Sequence, residues 1–201
     1  MSTDKEAPTR ERILEVALRL IDNRGGADVS MGAIAAAAQL SRQAVYLHFR
    51  DRSDLLMALV RFVDVKSGIG EAVRKIAQAP TGAAGLKAMV SLQARTNPAI
   101  WPVAHALDAV RRRDRAANRS WQDRLEDRLV VCRGIVGRLK QSGELRRGLD
   151  AGTATDLLWT MTSLRMWEDL VLERKWTAQR YEARLTELLL SVLTDGRSRR
   201  K

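Results

Sequence analysis

Residues 30–56 read SMGAIAAAAQLSRQAVYLHFRDRSDLL, and this stretch decides the fold. Ser30 and Ser41 each stand where a side-chain oxygen caps the first free amides of a short helix. The first helix carries Met31, Ile34, Ala35 and Ala38 on one face at helical spacing. The second runs from Arg42 to about Phe49, and Gln39-Leu40 forms the tight turn between them. Short helix, brief turn, short capped helix is the layout of a helix-turn-helix. At about 100° per residue, Val45 and Phe49 share the side of the second helix that faces a core. The opposite side carries Gln43, Ala44 and Leu47, flanked by Tyr46 and His48. That outer face is short on charge for a surface helix. An amide there can pair with an adenine edge, and apolar groups can meet thymine methyls. A phenol and an imidazole at the flanks can reach phosphates, which set register without reading sequence. The bland reading of the same residues is packing, with Tyr46 a half-buried phenol and His48 a solvated surface group.

Upstream, residues 1–8 are polar and read as a loose arm, with Thr9 as the N-cap of a first helix. Ile13, Leu14, Ala17, Leu20 and Ile21 repeat at helical spacing, and Gly25-Gly26 ends that helix. Downstream, residues 50–53 make a second break, and Leu55, Leu56, Leu59, Val60 and Val63 open a longer helix. Further helices are expected near 68–78, 83–96, 100–110, 119–142, 151–174 and 178–194. Residues 79–82 read as a loop, Asn97-Pro98 as a break because the residue before proline avoids helical backbone, and Gly143 and Gly148 bracket another. The fold class is therefore all-α. A three-helix helix-turn-helix domain over residues 1–54 precedes a larger helical domain over residues 55–201.

The segments Thr9-Arg10-Glu11-Arg12-Ile13-Leu14-Glu15, Ala33-Ile34-Ala35-Ala36-Ala37-Ala38 and Leu40-Ser41-Arg42-Gln43-Ala44-Val45-Tyr46-Leu47-His48-Phe49, followed by Leu55-Leu56, carry a resemblance. Together they resemble the N-terminal domain of TetR-type (tetracycline-repressor-like) regulators, over about a quarter of the chain. The Tyr-x-His-Phe end, the basic loop after it and the Leu-Leu pair are its most specific features. The resemblance implies that Arg42, Gln43 and Leu47 lie against bases or the groove edge, and that Tyr46, His48 and Arg52 lie against phosphates. It also implies a homodimer on a palindromic double-stranded DNA operator, released by a small-molecule effector. Gln39 departs from the family, which usually has glycine in the turn. If that position needs a left-handed backbone, glutamine costs roughly 1 kcal/mol.

Bulk charge is a poorer guide than the motif. The 201 residues hold 35 basic and 24 acidic side chains, a net charge of +11. Residues 1–60 contain eight of each, so the whole excess lies outside the DNA-reading segment. Few glycines and prolines, 13 and 4, fit a helical chain, and no run of 18 apolar residues suggests a membrane span. The first 12 residues are charged and lack the apolar core of a secretory signal. The lone Cys132 supports no disulfide framework, which fits a reducing cytoplasm.

The larger domain shows no catalytic constellation, cofactor loop or paired metal-ligand spacing, so no enzyme activity, cofactor or metal is expected. His105 and Asp108 could share a helix face, an arrangement more often a plain hydrogen bond than a ligand set. All five tryptophans, Trp101, Trp121, Trp159, Trp167 and Trp176, lie in the second half. As lining of an effector site we select Met89, Gln93, Trp101, His105, Trp121, Cys132 and Trp159, apolar walls with an amide and an imidazole, suited to a largely apolar effector. The competing reading makes the tryptophans core or dimer contacts. Leu157, Met161 and Leu164 on one late helix, and Tyr181, Leu185, Leu188, Leu189 and Val192 on the next, read as a dimer interface in the form of a four-helix bundle. Two other functions stay open: a nonspecific or architectural DNA binder drawn by charge, and a helical ligand-binding protein or enzyme with a vestigial helix-turn-helix.

Overall fold

The computed structural model describes residues 3–23 and 29–195, with side chains from Thr9 onward. The described residues form α1 (Thr3–Asn23), α2 (Met31–Ala37), α3 (Arg42–His48), α4 (Arg52–Lys66), α5 (Ile69–Ala77), α6 (Gly82–Arg111), α7 (Arg115–Gln141), α8 (Ala151–Met161), α9 (Leu164–Trp167), a π-helical segment (Glu168–Glu173) and α10 (Ala178–Leu193). No described helix is long and apolar enough to cross a membrane. The all-α expectation holds. The Gly25-Gly26 stop and the basic tail from Arg197 lie outside the described residues.

Short polar side chains set most helix starts. Ser30, Ser41, Asp51, Asp150, Ser163 and Thr177 each accept a hydrogen bond from the backbone N–H three residues on. Thr81 and Asp114 do the same ahead of α6 and α7.

Three elements differ from the sequence reading. The first helix begins at Thr3, not after an N-cap at Thr9. Lys5, Glu6 and Ala7 are good helix formers, and they extend the helix backwards. Asn97-Pro98 does not break α6, which runs unbroken through thirty residues. Pro98 lies on an exposed side of the helix and removes one donor, while Val90, Ala94, Val103 and Leu107 are buried before and after it. The single helix expected over 151–174 is instead α8, α9 and the π segment. Thr162 Oγ1 donates to the Leu158 carbonyl at 2.6 Å and the Ser163 hydroxyl accepts from Met166 N–H at 3.1 Å. These local bonds compete with the helical ladder and restart it.

Packing divides the chain into two units, residues 1–67 with 99–123, and residues 68–98 with 124–201. In the first unit α1 packs on α2 and α4, and α2 on α3. Their core contains Ile13, Ala17, Ile21, Ile34, Val45, Phe49, Leu55 and Leu59, joined by Val103, Leu107 and Ala117 from α6 and α7. In the second unit the start of α6 meets the end of α7 so closely that a Cβ at Gly82 would lie 2.5 Å from the Leu139 backbone nitrogen. Arg138 donates to the carbonyls of Ile76 and Ala77 at 2.7 and 2.8 Å, closing the C-terminal end of α5. α10 packs against α8 and the π segment through Tyr181, Leu185, Leu189 and Leu193.

Candidate nucleic-acid interface and polar cluster

The turn between α2 and α3 is built as a left-handed corner. Gln39 has φ 55°, and Gln39 and Leu40 donate their N–H groups to the carbonyls of Ala36 and Ala35. The strain expected of a non-glycine residue is therefore present. Ser41 then caps α3 through Ala44 N–H at 3.1 Å.

α3 is oriented as its angular pattern requires. Val45 and Phe49 are buried, while Leu47 is 82% and Tyr46 50% exposed. Gln43 and Arg42 are exposed, and Ala44 and His48 are half-buried beside them. A leucine that open, on a helix anchored by two core residues, is not part of the core of its own domain. Arg42 lies across α2, where its guanidinium occupies the space a side chain at Gly32 would need. Arg52 Nε donates to the Val29 carbonyl at 3.2 Å and so holds the start of α4 to the segment before α2. Arg50, which sequence reasoning passed over, is exposed immediately after α3 and pairs with Asp51 at 2.8 Å. The Asp51 carboxyl is held below its ordinary range by the Asp54 N–H it accepts and then by Arg50. Arg10 sits over the Phe49 ring at 4.9 Å.

The residues selected for an effector site fall in both units. Trp101, His105 and Trp121 belong to the first. There Trp101 and His105 stack with centroids 5.0 Å apart, and Arg111 lies over Trp121. Asp108 pairs with Arg111. Met89, Gln93, Cys132 and Trp159 belong to the second. Around the last three the structure gathers side chains the sequence did not single out. Gln93 Nε2 donates to the Thr162 carbonyl at 2.7 Å, and Tyr181 Oη donates to Gln93 Oε1 at 3.4 Å. Arg128 donates through Nη1 to the Trp159 carbonyl and to Thr162 Oγ1, and its guanidinium lies 4.5 Å from the centre of the Trp159 ring. Trp159 Nε1 donates to the Leu125 carbonyl at 3.3 Å. Burial pushes the Cys132 thiol up to about 11 and raises the Tyr181 phenol as well.

Tyr181, Leu185 and Leu189, expected at a dimer interface, are instead buried within the chain itself, at 2% exposure or less. They have almost no surface left to offer a partner. Leu188 is 44% exposed, and Leu157, Met161, Leu164 and Val192 are half-buried.

Residues 13–59 match the family model of the bacterial regulatory proteins of the tetR family. Over those residues the chain is similar to that family. The chain is 46% identical over 70 residues to the HTH-type transcriptional regulator AcrR of Shigella flexneri, a match covering 34% of this chain and 32% of that one. The chain thus spans about a third of the length of that curated relative. Among solved structures, a transcriptional regulator from Saccharomonospora viridis in complex with choline has a TM-score of 0.79 at 20% identity, over 94% of this chain and 99% of that one. FadR from Bacillus subtilis in complex with stearoyl-CoA has a TM-score of 0.71 at 21% identity, over 90% and 97%. At these identities the likeness shows a shared fold.

Proposed function

We propose that the protein is a ligand-responsive transcriptional regulator, acting in the cytoplasm as a repressor that a small effector releases from DNA. It binds a near-palindromic operator as a homodimer, with each α3 in one major groove and half-sites about one helical turn apart. Residues 1–54 supply the DNA-binding part, and residues 55–201 supply effector binding and dimerisation. The observation that carries this reading is the outer face of α3. Gln43, Tyr46 and Leu47 are exposed there while Val45 and Phe49 fix the helix from behind. Arg42, Ala44, His48 and Arg52 complete the surface, and exposed Arg50 adds charge beside it.

The ligand-bound state of two proteins of like fold, one holding choline and one stearoyl-CoA, supports a response to a small molecule. Of the selected residues we assign effector contact to Met89, Gln93, Cys132 and Trp159, which share a packing unit. Effector binding favours a state in which the two reading helices are wrongly spaced, which is a coupling of two sites through one equilibrium.

A nonspecific binder drawn by charge is the competing function, and the charge balance of residues 1–60 argues against it. Selection of preferred sites from random DNA separates the two. A regulator yields a symmetric site bound at least about a thousandfold tighter than scrambled DNA at physiological salt. Equal affinity for selected and scrambled DNA refutes sequence-specific regulation.

A further inference from the structure

Arg128 is a half-buried cation, and among the described residues it has no anion beside it. Among the described residues no carboxylate pairs with it, and the titratable groups that act on it are the Cys132 thiol and the Tyr181 phenol, both of which burial keeps protonated and neutral. Desolvation weakens the hold of the guanidinium on its proton. Removing a cation from water with no counter-charge is unfavourable, and the neutral Trp159 carbonyl and Thr162 hydroxyl compensate only in part. Both of those bonds use Nη1. Nε and Nη2 have no hydrogen-bond partner among the described residues, and neither is among the buried unpartnered atoms. These two nitrogens form the side-on fork that matches a carboxylate. Trp159 covers one face of the guanidinium, so the fork is reached along its edge.

A second orphan stands in the same packing unit. Asn97 is only 6% exposed, and its Nδ2 is a buried donor without a partner. α6 and α7 run antiparallel, with Gly82 against Leu139 and Gly85 against Ile135. Carried along the pair, that register sets Gln93 level with Arg128 and Asn97 one turn further on the same face of α6. Two unspent donors therefore occupy neighbouring turns of one packing unit, beside a polar cluster in which Gln93 already uses both ends of its amide.

We propose that Arg128 is the anion-recognition residue of the effector site and that the effector is an organic monocarboxylate. The Nε–Nη2 edge of Arg128 holds the carboxylate, and Asn97 donates to the same molecule. One guanidinium balances one negative charge, whereas a dianion would leave a charge unpaired in a poorly hydrated site. Met89, Leu92 and Leu158, buried in the same unit, are apolar and suit the remainder of the ligand. The inference rests on the effector-binding reading above and gives that effector a charge.

The test is a tryptophan-fluorescence titration of the full chain, without DNA, using acetate, benzoate, octanoate and hexadecanoate, each against its neutral primary amide at constant ionic strength. At least one carboxylate should bind about tenfold or more tightly than its amide, the scale of a hydrogen bond to a charged group. Arg128→Gln should remove that preference, so that carboxylate and amide bind the variant alike. Arg128→Lys keeps the charge without the fork and should retain part of the preference, which serves if the glutamine variant loses its helical circular dichroism. Absence of any carboxylate preference in the parent chain, or a preference that survives both substitutions, overturns the inference. Operator affinity measured in parallel separates the two claims. A chain that binds its operator but prefers no carboxylate refutes only the monocarboxylate, and one that prefers a carboxylate but binds no operator refutes only the regulator.

Discussion

Gln39 and Ser41 stand two residues apart and act in opposite directions on the same corner. Gln39 holds a left-handed backbone that costs a side chain free energy, and Ser41 offsets part of that cost by capping α3. Gln39→Gly should raise stability by about 1 kcal/mol, read as a higher Tm with unchanged DNA affinity, because the turn keeps its shape. Ser41→Ala should lower stability by about 1 kcal/mol. A glycine variant no more stable than the parent would show that the left-handed turn carries no strain. Cys132 gives a pH-dependent counterpart. Its thiol titrates near 11 in the folded chain, above the ordinary value of 9.0 for the unfolded one. The unfolded state therefore releases its proton first as pH rises, and this residue's contribution to stability falls between those two values. At pH 8 the native thiol should resist alkylation until denaturant is added. Rapid labelling of native protein would contradict its burial.

At the scale of elements, α10 alters what the dimer prediction must be. Its i, i+4, i+8 stripe of Tyr181, Leu185 and Leu189 is an intramolecular core, so Leu185→Glu or Leu189→Glu should unfold the chain rather than dissociate a pair. Leu188→Glu, on the open side, should leave helicity intact and yield a monomer by sedimentation, with loss of tight operator binding. A folded Leu188→Glu dimer would move the interface elsewhere. Periodicity located this stripe but could not say which core it enters, because an apolar face reads the same whether its partner is the same chain or another. α3 was legible for the opposite reason. Its buried residues, Val45 and Phe49, and its open ones, Gln43 and Leu47, fall on opposite sides of one short helix. Helix starts were legible wherever Ser30 or Ser41 announced a cap. Pro98 misled because a local preference yields to burial on both sides of it in a long helix. The Arg128 cluster was hidden for a further reason. It draws Gln93, Arg128, Thr162 and Tyr181 from separate elements, and no local pattern in the sequence records that meeting.

For the molecule as a whole, charge and reading are carried by different parts of the chain. The surplus of +11 lies beyond residue 60, while Gln43, Ala44 and Leu47 on the outer face of α3 carry no charge. In the proposed complex Tyr46 and His48 flank that surface as phosphate contacts, so Tyr46→Phe or His48→Ala should weaken binding to all DNA sequences about equally. A shift in base preference would place them among the readers instead. The central claim is that Gln43 and Leu47 read bases, and site selection from random DNA with Gln43→Ala and Leu47→Ala, followed by salt titration on the selected operator, tests it most directly. Each substitution should relax preference at one symmetric pair of operator positions, by roughly 1–3 kcal/mol for Gln43, with a nearly unchanged salt slope because neither side chain neutralises a phosphate. Variants that select the parental operator with unaltered preference would contradict the orientation of α3 in the groove.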